Sequence, residues 1–129
     1  MSDTLSANRR FLLVRRPHGN PVPEDFRLVE EPVPVPPPGG IVVRNHYASL
    51  DPAQRGWMDD APSYMPPIPL GDPVRATTVG VVHASDNPDF VPGQWVMGLN
   101  ALEDYSVALP GGFTMSVDVS QVDSPSKFL

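Results

Sequence analysis

Tyr64 is the side chain in this sequence best suited to meet a small molecule. It stands in Ser63-Tyr64-Met65-Pro66-Pro67-Ile68-Pro69, where the prolines favour extended, stiff backbone. A tyrosine held on such a loop can donate its hydroxyl proton to a ligand carbonyl while its ring packs on apolar surface. The competing role is a hydrophobic plug, with Trp57, Tyr64 and Met65 closing an open barrel end. Arg55 and Arg75 flank this stretch, and a guanidinium can grip a phosphate or carboxylate with two parallel bonds. Salt bridges to neighbouring aspartates are the alternative for both. Asp59 and Asp60 are adjacent, and adjacent residues do not share a helical face. They read as solvated charges rather than an acid–base pair.

Other chemistries are poorly provided for. His18, His46 and His83 fall in a loop and two separate strand patterns, without helical metal spacing, and the chain has no cysteine. A zinc site is therefore not expected. No Gly-x-Ser-x-Gly and no glycine-rich phosphate loop occurs. The net charge of −6 and the scattered basic residues argue against nucleic acid as a partner. No apolar run approaches the roughly 20 residues of a membrane span, and the N-terminus lacks a signal-type apolar stretch. A cytoplasmic protein with no membrane contact is the expectation.

The elements that must position Tyr64 follow from composition and period. At 129 residues the chain is one domain. Its 18 prolines and 10 glycines suppress long helices, so the class is mainly β. Met1 to Asn8 reads as a mobile leader, with the domain running from Arg9 to Leu129. Strand patterns occur at Phe11–Val14, Phe26–Glu30, Ile41–Leu50, Thr77–Ala84, around Trp95–Gly98, at Glu103–Leu109 and at Phe113–Val119. Pro32 to Gly40 is a proline-rich connector; such a run also suits an SH3-type partner, but here it spaces two strands. Gly80 inside a strand signals a bulge or a close backbone approach. Asp51 before Pro52 reads as a helix cap followed by proline at the first helical position, giving a short helix from Asp51 to Met58. About seven short strands with one or two short helices make a partly open β-barrel.

Taken in order, these segments resemble a known family. Arg15-Arg16-Pro17 with Gly19, Pro21, Glu24 and Phe26-Arg27-Leu28 opens the match. Arg44-Asn45, Ser49-Leu50-Asp51-Pro52, Arg55-Gly56, Met58, Ser63-Tyr64, Pro66-Pro67, Gly80-Val81-Val82 and Pro92-Gly93 continue it. The pattern is similar to the N-terminal domain of zinc-independent medium-chain dehydrogenase/reductases, in the prostaglandin reductase, alkenal/one reductase and curcumin reductase group.

The resemblance implies a GroES-like barrel forming the substrate side of an NADPH-dependent enzyme. Such enzymes reduce the carbon–carbon double bond of enones and enals by hydride transfer to the β-carbon and protonation of the enolate. It implies that Tyr64 contacts the substrate carbonyl, that Ala53 lines the substrate pocket, and that Asp51 and Pro52 lie beside the nicotinamide. It implies no metal, because zinc-dependent cousins place a cysteine ligand where this chain has Asp51-Pro52. Ala53 stands where relatives often carry a bulky residue, which widens the pocket. Pro73 and the absence of a methionine alter the Gly71–Arg75 loop, and Gln94 replaces the usual aspartate of a turn. Within the 129 residues there is no strand–glycine–helix unit of the Rossmann type. The expectation is a domain with half a substrate pocket and little activity alone, served by a separate nucleotide-binding chain or partner. A non-catalytic binding module built on the same barrel is the alternative.

Overall fold

The computed structural model describes residues 7–61, 65–109 and 111–129. Tyr64 therefore lies outside the described residues. Seven strands form: β1 (Asn8–Leu13), β2 (Phe26–Glu31), β3 (Ile41–Ala48), β4 (Arg75–Ser85), β5 (Trp95–Ala101), β6 (Tyr105–Ala108) and β7 (Met115–Ser116). One α-helix, α1 (Ala53–Trp57), and three 3-10 turns, Pro23–Asp25, Val119–Gln121 and Pro125–Phe128, complete the described residues. None of these helices is long and apolar enough to cross a membrane.

The strands make an antiparallel sheet of order β6-β3-β4-β5-β7 and a separate β1-β2 pair. Backbone bonds stitch the pair to the sheet. Phe11 N donates to Leu102 O at 3.0 Å, Val74 N to Phe11 O at 2.9 Å, and Asp104 N to Arg9 O at 3.0 Å. The result is the partly open, GroES-like barrel, with one apolar core inside the sheet and another beneath α1. Ile41, Val43, Val82, Val96 and Ala108 build the first, from β3, β4, β5 and β6. Leu13, Trp57, Met58, Ile68 and Val74 build the second.

Gly80 shows why a strand glycine carries information. A Cβ there would sit 2.1 Å from the carbonyl oxygen of Arg44, and the β3–β4 register shifts between Asn45 and Tyr47. The two backbones approach so closely that only glycine fits.

Several boundaries differ from the sequence reading. Asn8 is not leader: it is 3% exposed, and its amide donates to Tyr105 O at 3.0 Å and accepts from Tyr105 N at 2.9 Å. β3 stops at Ala48, and Leu50 is exposed where the chain turns away. The strand expected over Phe113–Val119 shrinks to Met115–Ser116, because Asp118 Oδ1 accepts from Ser120 N at 3.0 Å and opens a 3-10 turn instead.

Candidate functional site

The site begins at the turn that leaves β3. Asp51 Oδ1 accepts from Ala53 N at 3.1 Å, and Pro52 already has helical angles, φ −60° and ψ −26°. Pro52, not Asp51, takes the cap position, so the expected cap lies one residue too early. The helix itself runs only from Ala53 to Trp57. Asp51 and Pro52 are exposed at its head, and Ala53 is half-buried against the core beneath α1.

Gln54 fixes this turn, a role not read from the sequence. The side chain is buried. Its Nε2 donates to Ser49 O at 3.2 Å and Arg75 O at 3.1 Å, and its Oε1 accepts from Asp51 N at 3.0 Å. One amide therefore ties the end of β3, the head of α1 and the start of β4. A lone glutamine in a five-residue helix carries no signal that would separate this from a solvent-facing role.

The loop after α1 is held by arginines. Arg16 donates to Met58 O at 3.0 Å and Ile68 O at 2.6 Å, and Ile68 N donates to Trp57 O at 2.8 Å. Arg55 pairs with Asp59 at 2.8 Å and donates to the carbonyls of Gly19 and Pro17. Arg75 donates to Pro66 O at 2.7 Å, and its guanidinium lies 5.3 Å from the centre of the Trp57 ring. Burial pushes the Arg75 guanidinium down from its ordinary value, with Asp72 opposing. Both arginines raised as anion contacts are thus occupied in bracing the loop.

Beside this braced loop lies a cavity of about 510 Å³, lined by Trp57, Met65, Thr77, Met97, Gly98, Leu99 and Phe113. Its floor is one face of the β4–β5 pair, where Thr77 stands opposite Leu99. Met97 and Leu99 share that face because alternate residues of a strand do. Thr77 is the one polar residue in the lining. A volume of this size suits a small organic ligand. Ala53 packs on the same core as Trp57 but is not itself one of the residues lining the cavity. Met65, next in the chain to Tyr64, lines the cavity. Thr77, Met97, Leu99 and Phe113 were missed as lining residues. The alternation Met97-x-Leu99 becomes visible only once β5 is known to run past Gly98.

A second hollow, about 290 Å³, lies beside β1 and β3 and is lined by Arg9, Glu103 and Asp104 among others. Its charges are matched: Arg9 Nε and Asp104 Oδ2 are 2.9 Å apart, and Arg10 Nε and Glu103 Oε1 are 2.8 Å apart. Burial pushes the Asp104 carboxyl up, but the side-chain and backbone bonds of Arg9 reverse this and hold it below its ordinary value. Among the described residues no cluster of three or more histidine, aspartate or glutamate side chains is placed to hold a metal ion.

Comparison with known proteins agrees with this architecture. Residues 9–116 match the model of the N-terminal domain of oxidoreductases. The chain is 44% identical over 108 residues to an NADPH-dependent curcumin reductase of Escherichia coli, covering 84% of this chain and 31% of the relative. It is 30% identical over 108 residues to an NADP-dependent 2-alkenal reductase of Nicotiana tabacum, covering 81% of this chain and 32% of the relative. The crystal structure of CurA from Vibrio vulnificus superposes with a TM-score of 0.79 at 34% identity, covering 92% of this chain and 34% of that one. The same protein in complex with NADPH gives a TM-score of 0.77. The chain thus spans about a third of the length of the relatives it matches. With its barrel, its α1 turn and this match over most of its length, the chain belongs to the family of oxidoreductase N-terminal domains, in the curcumin and alkenal reductase group of the medium-chain dehydrogenase/reductases.

Proposed function

We propose that this domain is the substrate side of an NADP-dependent reductase acting on the carbon–carbon double bond of α,β-unsaturated ketones or aldehydes. The observation that carries the reading is the apolar cavity of about 510 Å³ beside the braced loop of α1, in a chain of this family. Trp57, Met65 and Leu99 supply flat and flexible apolar surface for a conjugated substrate. Tyr64, one residue from Met65, donates its hydroxyl proton to the substrate carbonyl and draws off charge as the enolate forms. Ala53 leaves room at the head of α1. Asp51 and Pro52, exposed there, form the rim against which a nicotinamide ring rests.

NADPH, when bound, supplies the hydride. This chain's contribution is to hold the enone flat, keep water off the double bond and fix the carbonyl. Arg55 and Arg75 are committed to loop carbonyls and Asp59, so they are poor anchors for the cofactor's phosphates. A nucleotide-binding unit, in the same polypeptide or as a partner chain, holds the phosphates and thereby positions the nicotinamide.

The test measures NADPH oxidation with an aryl enone, by the 129-residue chain and by the chain joined to the nucleotide-binding part of a curcumin reductase. The expected result is turnover only after joining. Tyr64→Phe then lowers kcat about tenfold, the effect of about 1.4 kcal/mol of lost transition-state stabilisation. A joined protein that folds, binds NADPH and reduces no enone sinks the proposal. Exposed Leu109, Phe113 and Met115 favour a second reading, a non-catalytic interaction module. A specific partner copurifying with a joined protein that reduces nothing would establish it.

A further inference from the structure

We propose that Phe113 is a specificity-determining residue of this cavity: an aromatic flap that stacks on the extended, planar end of a conjugated substrate. The inference rests on the reading of the cavity as a substrate site. Four observations carry it. Phe113 is 75% exposed, a large apolar surface left in water beside an apolar cavity that it also lines. The β5–β7 register, Met97 opposite Met115, sets Phe113 across from Leu99 when carried two residues further along both chains. Gly98 permits this approach, since a Cβ there would already be 3.0 Å from Thr114 Oγ1. Lastly, Phe113 follows Gly111, at φ +79°, and Gly112, two glycines whose own backbone freedom lets the chain set the direction of the segment that carries Phe113.

The geometry gives the cavity aromatic side chains from two separate elements, Trp57 on α1 and Phe113 on the loop before β7. A short alkyl enone reaches one of them. A substrate whose conjugation extends into an aryl ring reaches both, and covering Phe113 removes its ring from water. Phe113 therefore selects for length and planarity, while the double bond and carbonyl are handled at the α1 end.

The experiment titrates the isotope-labelled 129-residue chain with benzylideneacetone and, separately, with mesityl oxide, following amide shifts by nuclear magnetic resonance. With benzylideneacetone, shifts are expected at Gly98 and Leu99, and Kd rises about tenfold in Phe113→Ala. With mesityl oxide the same substitution changes Kd less than about twofold. Thermal stability is unchanged, because the ring is exposed. Benzylideneacetone binding to both proteins with equal Kd overturns the role of Phe113 and leaves the cavity reading standing. An absence of shifts at Gly98 and Leu99 in the unaltered chain overturns both. Self-association of the chain that Phe113→Ala abolishes, with Kd for benzylideneacetone unchanged, assigns the exposed ring to a contact between copies and also overturns it.

Discussion

Gln54 Nε2 lies 3.1 Å from the carbonyl oxygen of Arg75, so a side chain from α1 donates directly into the first residue of β4. The same amide meets Ser49 and Asp51, the residues through which the chain passes from β3 into α1.

Replacing Gln54 by leucine keeps the volume and removes the bonds. The backbone groups of Ser49, Asp51 and Arg75 then lose their side-chain partner. The expected loss of stability is about 2 kcal/mol, read as a lower denaturant midpoint with an unchanged slope. The amide signals of Asp51 and Ala53 should broaden as well. A midpoint within experimental error of the unaltered chain would mean that water replaces the amide at no cost.

Gly80→Ala tests the close approach of β3 and β4. The added methyl would sit 2.1 Å from Arg44 O and 2.9 Å from Asn45 Cα, and neither backbone atom can rotate away. The strands must separate, at a cost of about 3 kcal/mol. Gly56→Ala is the control, because a Cβ there meets nothing within 4 Å. Helix propensity makes that change neutral or favourable by up to about 1 kcal/mol. Equal destabilisation by both would show that strand packing at Gly80 is not the cause.

Acid sensitivity follows from Asp25. Its buried carboxylate accepts from Val22 N at 2.9 Å and from Arg15 Nε at 2.8 Å. The Val22 amide, with Arg15 and against the effect of burial, holds its pKa below the ordinary value. A carboxylate with a depressed folded-state pKa adds stability that is complete above the unfolded value, about 3.9, and fades as pH falls through the folded value. Asp104 contributes in the same direction through Arg9. Thermal midpoints measured downward from pH 6 should therefore drop most steeply below about pH 4. Asp25→Asn should lower the midpoint at neutral pH and flatten that acid slope. An unchanged slope in Asp25→Asn would place the acid sensitivity elsewhere.

Local chemistry made much of this protein readable before any coordinates. Proline and glycine content set the β class, strand patterns located seven strands, and Gly80 marked the close approach of β3 and β4. Asp51-Pro52 marked the start of α1, since cap and proline geometry act within a few residues. The motif order from Arg15 to Gly93 carried the family. The tertiary structure decided what depends on distant partners. Asn8 looked like leader because its bonding partner, Tyr105, is 97 positions away. Arg55 was expected to meet a nearby aspartate and does so at Asp59, but the carbonyls that it and Arg75 brace belong to other loops and leave no mark in the local sequence. Gln54 was unremarked because a side-chain amide has no period or spacing. The cavity wall of Thr77, Met97, Leu99 and Phe113 exists only through the antiparallel register of β4, β5 and β7, which sets Thr77 beside Leu99 and Met97 beside Met115. Sequence pattern reports which face of a strand is apolar; strand pairing determines which apolar faces meet and what space they leave between them.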